Sequence, residues 1–229
     1  MTRRSKAAAH VVRVDRAFGR IVDTSPERDF KPEQGSAFES LMSAIVFQQL
    51  AGAAARTIHG RLVVALGGAP VAPESVLSAS PDALRGAGLS GNKLAAITDL
   101  AAKFVDGTVP THDLDDLSDD EIVARLVMVR GVGRWTAEMF LMFQLGRPDV
   151  WPVDDLGVRN GWARIHDREA PPPPKELAGL GDVFRPYRST AAWYCWRAAE
   201  PPPKPAPKAE VKAAVKGAGR RPPSRPKRV

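Results

Sequence analysis

The stretch from Leu126 to Asn160 holds a tight turn between two apolar helical patterns, followed at once by a pair of carboxylates. Ile122, Val123, Leu126 and Val127 fall at helical spacing. Ser118 followed three residues on by Glu121 fits a capping box at the start of that helix. Gly131-Val132-Gly133 then breaks it, because glycine reaches positive φ and lets a ligand approach the backbone closely. A second helix opens at about Arg134 and runs through Ala137, Met139, Phe140 and Met142. Its first amide N–H groups have no partners inside the helix, so they form an anion site that needs no side-chain charge. An ordinary helix–turn–helix connection would use the same two glycines. Asp154-Asp155 follows at once. A turn suited to a phosphate backbone beside carboxylates suited to chemistry points to an enzyme that works on nucleic acid.

The charge is unevenly placed. Nine of the 33 Lys and Arg but only one of the 26 Asp and Glu lie after Glu200, which gives 201–229 a net charge of +8 and leaves 1–200 at −1. High pI therefore predicts a basic surface for the tail and not for the folded part. The tail is rich in Pro, Lys, Ala and Arg and has no aromatic residue, so it reads as disordered. Its readings are a solubility tail or a non-specific electrostatic tether to DNA. Lys204, Lys208, Lys212 and Lys216 recur every four residues, so part of it could turn helical on DNA. Met1 to Lys6 is basic without a following apolar segment, which argues against a secretory signal. No apolar run is long enough to span a membrane. The single cysteine, Cys195, excludes an internal disulfide framework and a four-cysteine iron–sulfur cluster, and predicts a small buried hydrophobe.

Elsewhere the pattern predicts an all-α chain. Helices are expected over Val11–Val22, Ser36–Gln49, Gly52–Leu66, Pro73–Ser78, Pro81–Gly86, Asn92–Val105, Asp154–Ile165, Lys175–Leu180 and Arg188–Ala199, besides the hairpin pair at 119–145. An N-terminal segment, 1–35, is expected to place one helix on the C-terminal helices, and 36–200 to form the main body.

Four anchors in order resemble the helix-hairpin-helix DNA glycosylase superfamily, and within it the 3-methyladenine DNA glycosylase II type. They are the helix from Phe38 to Leu50, the segment Gly88-Leu89-Ser90-Gly91-Asn92-Lys93, the hairpin with Asp155, and Phe184 to Ser189 with Trp193 and Trp196. The resemblance implies two helical subdomains with a central cleft. The first and last helices form one and roughly 40–150 the other, without the N-terminal β-rich domain of some relatives. It implies a monomeric enzyme of base excision repair that acts on double-stranded DNA carrying damaged bases, in the cytoplasm near the nucleoid if the source is bacterial. No cofactor is implied beyond a monovalent cation at the hairpin.

The resemblance also assigns residues. Asp155 matches the essential aspartate, which would stabilise an oxocarbenium-like sugar and orient or deprotonate water. Asp154 is preferred as the N-cap of the following helix, with a capping role for Asp155 as the weaker alternative. Bifunctional relatives carry lysine where this chain has Trp135, and Arg134 cannot serve as an amine nucleophile, so hydrolysis by water is implied. Trp135, Trp196 and Met139 are assigned to the base pocket, where indoles would stack on electron-poor alkylpurines such as 3-methyladenine and 7-methylguanine. Met139 stands where close relatives often have tyrosine. Trp151 and Trp193 are read as packing. Gly131, Val132, Gly133, Arg134 and Thr136 are assigned to DNA, as are Gln48, Gln49 and Leu50. One of these last three fills the gap left by the flipped nucleotide; Gln49 is favoured, and Gln48 could instead cap its helix. Arg188 bonds either phosphate or a structural carboxylate. A non-catalytic damage binder and a glycosylase for mismatched adenine or oxidised guanine are the alternatives.

Overall fold

The computed structural model describes residues 4–201, and every regular element among them is helical. Beyond Pro201 the basic tail lies outside the described residues. The helices are α1 (Lys6–Val14), α2 (Gly19–Thr24), α3 (Ala37–Phe47), α4 (Gly52–Ala65), α5 (Pro73–Ser78), α6 (Pro81–Gly86), α7 (Gly91–Val105), α8 (Asp119–Leu126), α9 (Arg134–Met139), α10 (Leu156–Ile165), α11 (Pro174–Leu180) and α12 (Arg188–Ala199). None of the described helices is long and apolar enough to cross a membrane.

The helices form two groups. α1 and α2 pack on α12, and α12 packs along α10. That last approach is so close that a Cβ on Gly161 would overlap the backbone of Cys195. Cys195 itself is fully buried, and burial pushes its thiol pKa well above the usual range. In the second group α7 packs against α3, α5 and α6, and α4 against α3. Phe38, Met42, Ile45, Ile97 and Leu100 are buried there, with Phe38 edge-on to Phe104 at 5.3 Å. Burying one such side chain stabilises the fold by roughly 1.5–3 kcal/mol.

Two elements depart from the sequence expectation. The helix expected over Val11–Val22 is interrupted at Asp15, which is extended (φ −142°). Its carboxylate accepts the Ala17 N–H at 3.0 Å and bonds His166 Nε2 at 2.8 Å. An aspartate that satisfies a backbone donor in this way competes with the helix. The break turns Phe18 into the core against Trp162 and Phe184, at 5.9 and 5.2 Å. The second departure follows Met139. The helix widens into a π turn over Phe140–Gln144, with the Leu145 N–H on the Phe140 carbonyl at 3.1 Å. Such turns recur at functional sites. Here it brings Phe143 against Trp196.

Candidate active site

A clamp from α12 fixes the segment that delivers Asp155. Arg188 donates to both carboxylate oxygens of Asp149, at 2.9 and 3.0 Å, and to its carbonyl at 2.6 Å. Arg185 adds a bond to Asp149 at 2.8 Å. The buried Ser189 hydroxyl accepts the Val150 N–H at 3.0 Å and donates to the Arg147 carbonyl at 2.7 Å. Trp151, buried as expected, donates to the Leu177 carbonyl at 2.8 Å. Arg188, proposed among the DNA contacts, is thus engaged with a structural carboxylate.

Asp155 heads α10. Its Oδ1 accepts the Val158 N–H at 2.8 Å, which makes Asp155 and not Asp154 the N-cap; Asp154 is exposed. The preference for Asp154 is corrected because the chain becomes helical only at Leu156, two residues after the expected start at Asp154. The same Oδ1 accepts the Trp196 indole N–H at 2.9 Å, and Oδ2 accepts that of Trp135 at 2.6 Å. Three N–H donors therefore orient one carboxylate at a helix N-terminus, where a negative charge is favoured by about 0.3–1 kcal/mol.

Both pocket tryptophans therefore meet at the acid. Trp196 stacks on Phe143 at 5.8 Å with the planes 29° apart, and the Arg28 guanidinium lies 4.7 Å from the Phe143 ring and 5.6 Å from Trp193. Trp193 donates to the Pro26 carbonyl at 2.9 Å and packs as expected. Trp135 is 48% exposed. Met139, one turn further along α9, is half-buried. Phe143 and Gly157 were not anticipated. Phe143 reaches Trp196 from the π turn. A Cβ on Gly157 would stand 2.8 Å from Trp196 Cδ1.

At the hairpin, the Ser118–Glu121 capping box forms as expected. Gly131 takes the left-handed conformation (φ 78°). Gly133 does not: it is extended (φ −93°, ψ 173°) and serves as a side-chain-free N-cap to α9. The N–H groups of Arg134, Trp135 and Thr136 thus begin the helix without an intrahelical partner. Val132 and Thr136 bury their side chains, so any contact they make beyond the fold comes from the backbone. The Val132 N–H is already bonded to the Val129 carbonyl at 3.0 Å. Arg134 pairs with Glu138 at 3.0 Å. Burial raises the Glu138 pKa above the ordinary glutamate value; Arg134 opposes the shift, while Asp154 and Asp155 add to it.

The end of α3 reaches the same hairpin. Gln48 donates from Nε2 to the Gly131 carbonyl at 3.0 Å, which occupies it structurally. Gln49 is exposed in the left-handed conformation (φ 56°), and Leu50 is 38% exposed. Among the described residues no three His, Cys, Asp or Glu side chains are grouped as a metal site.

Residues 42–186 match the family model described as HhH-GPD superfamily base excision DNA repair protein. The chain is 32% identical over 206 residues to DNA-3-methyladenine glycosylase 1 of Schizosaccharomyces pombe, covering 87% of this chain and 90% of the relative. A solved structure of the 3-methyladenine DNA glycosylase of that yeast, in complex with abasic DNA, superposes with a TM-score of 0.73 at 32% identity, covering 84% of this chain and 96% of the other. A DNA-3-methyladenine glycosidase from Bacillus halodurans superposes with a TM-score of 0.77 at 33% identity, covering 85% and 89%.

Proposed function

The chain belongs to the HhH-GPD superfamily of base excision DNA repair proteins, and on that premise we propose that it is a monofunctional alkylpurine DNA glycosylase with Asp155 as its catalytic carboxylate. The observation that carries this reading is the Asp155 carboxylate held between the indole N–H groups of Trp135 and Trp196. A base inside a duplex is out of reach, so the damaged nucleotide is flipped into the pocket. The C1′–N bond then breaks with its electron pair leaving on the base. A purine alkylated at N3 or N7 is cationic and departs neutral, so no strong general acid is required. Positive charge grows on the sugar, and the fixed carboxylate stabilises it. Water adds to C1′, and its proton passes to Asp155 and on to solvent. The product is an intact strand with an abasic site.

Trp135 stands where a lyase would need an amine. Lys93 is committed to the carbonyls of Val46 and Gln48 at 2.7 and 2.8 Å. Incubation with methylated DNA, followed by chromatography of the released bases, tests the reading. Free 3-methyladenine or 7-methylguanine, with strands cleaved only after hot alkali and no adduct trapped by borohydride, is the expected result. A trapped covalent adduct, or no released base, would overturn it.

A further inference from the structure

Three residues on one face of α7 touch the two loops assigned to DNA. Lys93, Ala96 and Asp99 recur every third residue, and positions so spaced are neighbours on a helix surface. Lys93 donates from Nζ to the carbonyls of Val46 and Gln48, the last turn and C-cap of α3. Asp99 Oδ2 accepts the Arg130 N–H at 2.7 Å, immediately before the hairpin glycine. Between them, the Ala96 methyl lies 3.5 Å from where Gly131 would carry a Cβ. Gln48 closes the circuit by donating to the Gly131 carbonyl at 3.0 Å.

We propose that α7 sets the register between the plug loop (Gln48, Gln49, Leu50) and the hairpin turn, with Lys93 and Asp99 as positioning residues. The proposal rests on the reading of Gln49 or Leu50 as the residue that fills the gap in the duplex. Gln49 is a non-glycine residue in the left-handed region, a conformation that persists only where the surroundings enforce it. On its α3 side the carbonyls of Val46 and Gln48 are held by one ammonium. Burial also lowers the Lys93 pKa. Among the described residues neither side chain hydrogen-bonds to Asp155 or to the two tryptophans that hold it, and the device is expected to act on insertion into the duplex more than on the chemical step.

The test compares single-turnover excision of one 7-methylguanine placed in a duplex and in the corresponding single strand, where no gap needs filling. Lys93→Met keeps the aliphatic stem and removes both bonds. It should slow duplex excision by roughly 10- to 100-fold, the scale of a small misplacement, and leave the single-strand rate unchanged. Lys93→Arg, which can still donate to both carbonyls, should restore the duplex rate. Asp99→Ala should reproduce the defect in weaker form, and Gln49→Ala serves as the reference. Equal slowing of Lys93→Met on both substrates would mean damage to the fold or the pocket and would overturn the proposal. A Lys93→Met rate equal to wild type on the duplex, beside an impaired Gln49→Ala, would overturn the register role and leave the plug standing. If Gln49→Ala and Leu50→Ala both excised normally from the duplex, the plug reading would fall and the proposal with it.

Discussion

Gly157 gives Trp196 its place beside Asp155. A Cβ added at Gly157 would stand 2.8 Å from Trp196 Cδ1 and 3.0 Å from Asp155 Oδ1. Gly157→Ala must therefore push the indole off the carboxylate. Because the position lies in the first turn of α10, where alanine is a better helix former by about 1 kcal/mol, the helix itself should not suffer. Excision should fall on the order of 10- to 100-fold, with a melting temperature close to wild type. Unchanged excision would mean that the Trp196 contact is dispensable.

Glu138 makes the stability of the fold depend on pH. Its side chain is 5% exposed, one oxygen faces Arg134 at 3.0 Å, and the other has no partner. Burial, the largest influence, raises its pKa above 4.5. Between that ordinary value and the raised one, the folded chain keeps a proton that the unfolded chain has released, so stability falls as pH rises through this window. Glu138→Gln removes the dependence and still offers Arg134 an acceptor. The melting temperature of the variant minus that of wild type should grow more positive from about pH 4 to about pH 7, with each kcal/mol worth roughly 2–4 °C in a chain of this size. A difference that shrinks over this range would contradict the burial of an acid here.

The local devices were legible in the sequence. α5, α6 and α12 run over the expected residues. In α5 and α6, proline near the helix start marks the boundary, a signal that needs no tertiary context. The capping box at Ser118 is of the same kind. What escaped depends on residues distant in the chain. The break at Asp15 is completed by His166, 151 positions away. The carboxylate that Arg188 engages, Asp149, is 39 positions away. Asp154 and Asp155 look alike as caps until the start of α10 is fixed by the clamp on the preceding loop. Asp155, Trp135 and Trp196 were identified through the family resemblance, but nothing in their spacing foretold that both indoles would bond the same carboxylate. Gly157 and Phe143 carry no local signal at all.

Truncating the tail tests whether electrostatic affinity and catalysis are separable. Truncation after Glu200 removes a net charge of +8. Each phosphate neutralised on a duplex adds about −0.9 to the slope of log K against log salt. The truncated protein should bind undamaged duplex more weakly and with a shallower slope, yet keep its single-turnover excision rate at saturating enzyme. An unchanged affinity and slope would remove the tether role.

Single-turnover excision by Asp155→Asn at saturating enzyme tests the central claim most directly. Asparagine keeps the size of the side chain and an acceptor for the Val158 and Trp196 N–H groups, but it loses the negative charge. The variant should fold, bind duplex carrying an abasic-site analogue as wild type does, and release 7-methylguanine on the order of 10²–10³-fold more slowly, the scale of losing one preorganised electrostatic group. Release at close to the wild-type rate would contradict the assignment of Asp155 as the catalytic carboxylate.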